Sequence, residues 1–309
     1  GHDGTLLSFR SSMILSPELG LGVFVTTNAE TGDRLTRDLA GRIVQRFYGP
    51  APTLPEPGSQ WLKANASAFE GEYLANRRAF HGLEKFVGLI NSRVSVKVSN
   101  DGVLIIRGFD FTSRWLPVGT DGRFRQADGW RTLAFEMKDG RAQRYFTGGG
   151  VNGYERVGFF GGQGWFDNLG LVTLLAALAT LAGVGLRFGQ RDYRETPMQR
   201  RVSLIQTTQA TLWVLAAFTT GLWLTRTGDI AAIFFDWPGG LMLTASSCAL
   251  VASLLSVANL VLLPFVWRGG RRVDSWTTGR KLRATMTALI FAAFALVLAT
   301  RGAIYPWAS

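Results

Sequence analysis

The 309-residue chain carries one cysteine, Cys248, and two histidines, His2 and His81. A single thiol excludes an intrachain disulfide and a cysteine-based metal framework. His81 lies near Arg77, Arg78, Glu84 and Lys85 with no second ligand-type partner at metal spacing, so it reads as a solvated strand end and no metal site is expected. The Asp-Gly pairs suit turns and none fits a calcium loop, and no cofactor is expected. Acid is scarce as well: 22 Asp and Glu against 33 Lys and Arg leave a net charge of +11. Much of that excess sits in two short loops between apolar runs, which argues against a nucleic-acid-binding face.

Apolar residues, by contrast, make up 47% of the chain, with 21 Phe and 10 Trp, more than a soluble two-domain protein of this length carries. Part of the chain therefore belongs in a membrane. Cys248 falls in one of the apolar runs and reads as packing.

The first 28 residues hold two strand signals. Leu7, Phe9, Met13 and Leu15 alternate with Ser8, Arg10 and Ser12, which predicts a strand with one buried face. After the turn residues Ser16, Pro17, Glu18 and Gly20, the run from Leu21 to Thr27 predicts a strand covered on both faces, paired with the first as a hairpin. A helical period follows, with Leu35, Leu39, Ile43, Val44 and Phe47 on one side and Arg34, Arg37, Asp38, Arg42 and Arg46 mostly on the other. It stops at Gly49-Pro50, and its apolar side is expected to cover the hairpin.

His2-Asp3-Gly4 leading into a serine-rich strand, the turn SPELGLG, the strand VFVTTN and an amphipathic helix together resemble the C-terminal end of a serine hydrolase domain. The superfamily is that of class C β-lactamases and penicillin-binding proteins. There a Lys-Thr-Gly or His-x-Gly triplet opens the strand that walls the catalytic cleft. The resemblance implies that His2 supplies a hydrogen-bonding or cationic group to substrate and that Gly4 lets substrate approach the strand. It also implies a Ser-x-x-Lys nucleophile and a Tyr-x-Asn element. Neither occurs in this sequence, nor does Gly-x-Ser-x-Gly, so residues 1–49 are expected to be the end of a hydrolase domain whose serine lies upstream of Gly1.

Pro50 to Gln60 holds four prolines in its first eight residues and predicts a stiff linker over 50–60. From 61 to 160 the chain breaks into short strands separated by Asn100-Asp101-Gly102, Asp121-Gly122, Asp128-Gly129 and Asp139-Gly140. Val94–Val98 with Val103–Ile106 is one hairpin, and Thr132–Met137 with Ala142–Phe146 is another. The expectation is a small antiparallel β-barrel, with Leu83 to Ile90 a helical piece plugging or capping it. FEGEYLANRRA and GYERVGFF resemble the lipocalin-like domains that follow the catalytic domain in serine hydrolases of this superfamily.

Residues 161–309 open with Gly161-Gly162-Gln163-Gly164 and predict a four-span transmembrane domain: Trp165–Leu186, Val202–Leu224, Gly239–Val266 and Ala284–Thr300. None has a Lys or Arg in its interior. Gln206, Gln209, Asn168, Asn259, Ser246, Ser247, Ser253 and Ser256 are the polar exceptions, and interhelical hydrogen bonding accounts for them better than transport. Arg187, Arg191, Arg194, Arg200 and Arg201 flank the first gap, and Arg268, Arg271, Arg272, Arg280, Lys281 and Arg283 the third. The second gap has Arg226 set against Asp229 and Asp236. The positive-inside rule then puts the barrel and the C-terminus outside a bacterial cytoplasmic membrane, with Trp165, Trp237, Trp267, Tyr305 and Trp307 at its interfaces.

The fold class expected is thus multi-domain: an α+β remnant, a lipocalin-like barrel and a transmembrane four-helix bundle. The function expected is a membrane-anchored, extracytoplasmic serine hydrolase acting through an acyl-enzyme on a peptide, amide or ester, the chain itself lacking the nucleophile. Membrane lipid and that small substrate are the expected partners. The alternative is a non-enzymatic membrane protein whose barrel binds a cell-wall fragment or lipid.

Overall fold

The computed structural model describes residues 1–309 apart from 7, 50–57, 109–110, 128, 130, 149–151, 188–195, 228–234, 269–275 and 307–309. The expectations for Leu7, most of the proline-rich linker, Asp128, Arg191, Arg194, Asp229, Arg271, Arg272 and Trp307 lie outside the described residues, as do the side chains of Arg34 and Arg37. The chain forms two compact units, one of Gly1–Arg78 with Ile90–Val157, the other of Ala79–Leu89 with Gly158–Ser309.

The first unit opens with an antiparallel sheet in the order β1 (His2–Leu6), β2 (Phe9–Ser16), β3 (Leu21–Thr27). Between β2 and β3, Gly20 takes φ 60°, the left-handed region that glycine enters at no steric cost. β1 is a strand that the sequence signals did not separate, because HDGTL has one large apolar residue and its alternation is too short to register. Helix α1 (Asp33–Phe47) packs on β2 and β3 and buries Thr36 and Ala40.

The alternation on β2 is present, but the covered face is the one carrying Ser12, which is buried. Phe9, Met13 and Leu15 lie on the other face, joined by Phe24 through the Met13–Phe24 register pair; Phe9 is 60% exposed and Phe24 68%. β3 is therefore covered on one face, not two, and the apolar hairpin face is not the one under the helix. Leu35 and Phe47 of α1 are exposed too, whereas Asp38, expected on the polar side, is buried.

The rest of this unit is a closed barrel of eight antiparallel strands. They are β4 (Gly71–Ala75), β5 (Arg93–Val98), β6 (Leu104–Arg107), β7 (Thr112–Pro117), β8 (Arg123–Gln126), β9 (Thr132–Lys138), β10 (Arg141–Thr147) and β11 (Gly153–Arg156). Neighbours in sequence pair around the barrel, and β11 returns to β4 to close it. Asp139 and Gly140 both have positive φ between Lys138 and Arg141, the two-residue hairpin geometry whose twist matches the strands.

Eight strands enclose just enough space for side chains to fill. Tyr73, Phe124, Phe135 and Tyr145 meet there edge-on, with ring centroids 5.4–6.1 Å apart. The plug comes from two short helices, α2 (Gln60–Ala64) and α3 (Ala66–Phe69), which bury Leu62 and Phe69 in the same cluster. The segment expected to plug or cap the barrel, Leu83 to Ile90, is helical as α4 (Gly82–Asn91), but its residues up to Leu89 group with the second unit.

That second unit is built on α5 (Gln163–Arg187), α6 (Pro197–Thr225), α7 (Gly239–Arg268) and α8 (Thr278–Arg301). Contacts run in a ring, α5 to α6 to α7 to α8 and back to α5. α5, α7 and α8 are long and apolar enough to cross a membrane. α6 is 29 residues long, yet Gln206, Thr207, Thr208, Gln209 and Thr211 dilute its apolar run and it is not in that set.

Those glutamines are where the bundle is hydrogen-bonded across helices. Gln209 Nε2 donates to Ala252 O at 2.9 Å and to Ser256 Oγ at 2.5 Å, and Asn259 Nδ2 donates back to Gln209 Oε1 at 3.1 Å. Gln206 Nε2 donates to Ala284 O at 2.7 Å. Ser253 instead bonds its own helix at Ala249 O. Helix α4 joins the same unit: Phe86 packs on Phe166 with centroids 6.2 Å apart, and Trp237 Nε1 donates to Glu84 Oε1 at 2.7 Å.

Candidate functional site

Both residues singled out by the resemblance lie on β1, the edge of the three-stranded sheet. Register pairs His2 with Met13 and Gly4 with Ser11, which puts His2 and Gly4 on the face that α1 leaves uncovered, beside Met13, Leu15 and Phe24. His2 is exposed. Gly4 has a local reason of its own, since a Cβ there would come 2.5 Å from Ser11 Oγ. Glycine at position 4 is what lets the Ser11 hydroxyl occupy that space, and no spacing argument reveals it.

Asp3 and Thr5 alternate to the opposite face. Together with Gly4, Arg10, Ser11, Ser12 and Thr36 they line a cavity of about 600 Å³, which Gly4 and Ser11 reach at the sheet edge, and the barrel contributes Arg131, Thr132, Thr147 and Asn152 to its wall. Arg131 Nε lies 3.9 Å from the buried Asp38 Oδ1, so α1 and the barrel meet through an ion pair at this cavity. The lining can hold a polar or anionic group through two guanidiniums and several hydroxyls. Among the described residues no Lys or His lines it. Sequence patterning places Arg10 and Asp38 on polar faces and gives Arg131 no special standing. No local signal links Asp38 to Arg131, because the contact joins α1 to a barrel segment about a hundred residues away.

Tyr73, Tyr145 and Arg156 are part of the barrel's packing. Burial pushes the Tyr73 phenol up to about 12, against the lowering pull of Arg156, and its hydroxyl donates to Phe69 O at 2.7 Å. Burial raises Tyr145 as well. Arg156 donates through Nη1 to Glu70 O at 2.6 Å, through Nη2 to Ala68 O at 2.7 Å and through Nε to Ala142 O at 2.5 Å. One guanidinium thus ties the end of α3 to the barrel wall, and burial lowers its pKa. His81 is exposed, and among the described residues no group of three His, Cys, Asp or Glu could hold a metal ion.

In the helical unit, Arg187, Arg280 and Arg283 line one crevice with Ser203 and Trp276 at one end of the bundle. Arg301, at the C-terminus of α8, is buried at the opposite end. It donates to Gly161 O and Gly162 O at 3.2 Å each, and its guanidinium sits 4.3 Å from the Phe166 ring centroid. Comparison with known protein families, with curated proteins and with solved structures returns no match.

Proposed function

We propose that this chain is the C-terminal part of a membrane-anchored serine hydrolase of the β-lactamase and penicillin-binding-protein type. The observation that carries the reading is the opening sheet. Its edge strand presents His2 and Gly4 on a face that is apolar, exposed and not covered by α1. In this reading that face is one wall of the catalytic cleft, and the rest of the hydrolase domain packs against Phe9, Met13, Leu15 and Phe24. The nucleophile belongs to residues outside this sequence, which holds no Ser-x-x-Lys. It attacks a peptide, amide or ester carbonyl to give an acyl-enzyme, and His2 orients the substrate through a hydrogen bond.

The helical unit serves as the membrane anchor in this reading. In this reading α6 is a fourth span alongside α5, α7 and α8, its glutamines satisfied by neighbouring helices and not by lipid. Arg187, Arg200, Arg201, Arg268, Arg280, Lys281 and Arg283 fall at one end of the ring of helices, which is then the cytoplasmic end, and the opening sheet is extracytoplasmic. The alternative, a barrel that is itself the binding module, is disfavoured by an interior packed with aromatic side chains.

The test joins this chain in frame to a β-lactamase-type segment bearing Ser-x-x-Lys and follows hydrolysis of a chromogenic ester or β-lactam. The expected result is turnover that falls at least ~10-fold in His2→Ala, the scale of one lost transition-state hydrogen bond. Undiminished turnover in that variant removes His2 from the site. The chain alone is expected to be inert, and serine-dependent turnover by it would overturn the assignment.

A further inference from the structure

We propose that the helical unit is more than an anchor and holds one acyl chain of a bilayer phospholipid between its helices. A cavity of about 320 Å³ lies among α5, α6, α7 and α8, walled by Phe166, Trp213, Gly221, Ala245 and Phe294, with Phe86 of α4 also in its lining. This is the size at which ligand pockets begin. Small residues make the hollow: Gly221 has no atom within 4 Å of where its Cβ would stand, and Gly170 has only the Phe294 ring, at 3.6 Å.

Three observations select an acyl chain over other occupants. The wall is mostly apolar, and two of its three hydroxyls are engaged: Thr173 Oγ1 donates to Leu169 O at 2.8 Å and Ser246 Oγ to Ala303 O at 2.8 Å. It therefore takes methylenes and not a head group. The cavity runs along α6 from Trp213 to Leu224, eleven residues and about 16 Å of helix rise, half of a ~30 Å hydrocarbon core. That is the depth of one leaflet, which one acyl chain spans. Its polar end is where α4 sits, beside the Glu84–Trp237 hydrogen bond and the buried Arg301, so the head group belongs at that end and the chain terminus against Trp213.

Trp213 is 3% exposed, its ring lies 5.2 Å from that of Phe294, and its Nε1 has no acceptor among the described residues. It is a built-in reporter of what fills the space. The chain, purified in detergent and stripped of loosely held lipid, should retain about one phospholipid per molecule in native mass spectrometry, whatever its head group. Gly221→Leu, which puts a side chain into the cavity at a helix position that tolerates it, should lower that occupancy at least tenfold with the helical circular dichroism unchanged. Absence of retained lipid in the unaltered chain, or equal retention by Gly221→Leu, overturns the proposal.

A second measurement needs no cavity-filling variant. One equivalent of a phospholipid brominated at the chain terminus is added to delipidated protein, and the quenching lost on Trp213→Phe is the signal. It should be several-fold larger than with bromine placed next to the head group. Equal quenching by the two, or none, would rule the acyl chain out.

Discussion

Arg156 makes three hydrogen bonds, to the carbonyl groups of Ala142, Glu70 and Ala68, and its guanidinium lies over the Tyr73 ring at 5.1 Å. Replacing it with Met keeps the bulk and removes all three charged donors. Arg156→Met should therefore destabilise the barrel by about 3 kcal/mol, since a hydrogen bond from a charged group contributes roughly 1.5 to 3 kcal/mol. Chemical unfolding followed by tyrosine and tryptophan fluorescence checks it, and a loss below about 1 kcal/mol would show that the plug is held by packing alone. Tyr73 makes a matching statement about pH. Its folded pKa of about 12 lies above the ordinary 10, so the folded chain keeps a proton that the unfolded chain releases. The resulting stability is fully present below pH 10 and is lost as pH rises through 12, a term on the order of 2 to 3 kcal/mol for Tyr73 alone. The tyrosinate absorbance that Tyr73→Phe removes should rise together with barrel unfolding in that window. Ionisation of Tyr73 near pH 10 with the fold intact would contradict the burial.

At the scale of elements, the C-terminus of α8 is a tightly constrained junction. Gly302 caps it at φ 84°, and a Cβ there would stand 2.2 Å from Gly82 O at the start of α4. Gly302→Ala should cost about 1 to 3 kcal/mol from backbone strain alone, plus displacement of α4. Gly221→Ala on α6, with open space at the Cβ, should be neutral or stabilising by up to about 1 kcal/mol. Thermal unfolding of the two variants in one detergent distinguishes them, and equal melting points would mean that α4 does not dock on this cap.

The elements differ in how visible they are before folding. The barrel hairpins were legible, because Asp-Gly turns and period-two runs are local: Val94–Val98 and Val103–Ile106 became β5 and β6 within a residue or so. The apolar runs likewise became α5, α7 and α8. The covered face of the opening sheet was not legible. Alternation separates Phe9, Met13 and Leu15 from Arg10 and Ser12, but it cannot say which set a helix will cover. Nor could Arg131 be tied to Asp38, or α4 to α8, because both depend on contacts made far along the chain. His2 and Gly4 were legible as a pair on one strand. That they share a face with exposed apolar residues needed the register.

For the whole molecule, the interleaving of α4 has a consequence for any attempt to take the protein apart. The chain leaves the first unit at Arg78, gives Ala79–Leu89 to the second, and re-enters the first at Ile90, so the two units are braided in sequence and not strung end to end. A cut at Gly161 severs the later crossing and leaves the earlier one stranded: the freed barrel would carry Leu83 and Phe86, both buried in the intact chain, out into water. Expression of the barrel alone thus starts with a sticky helix between its first two strands. Conversely, the helical unit expressed alone lacks Phe86, one of the residues that line its own cavity. Neither half is an independent module, and an insertion or swap at the 160 boundary disturbs both.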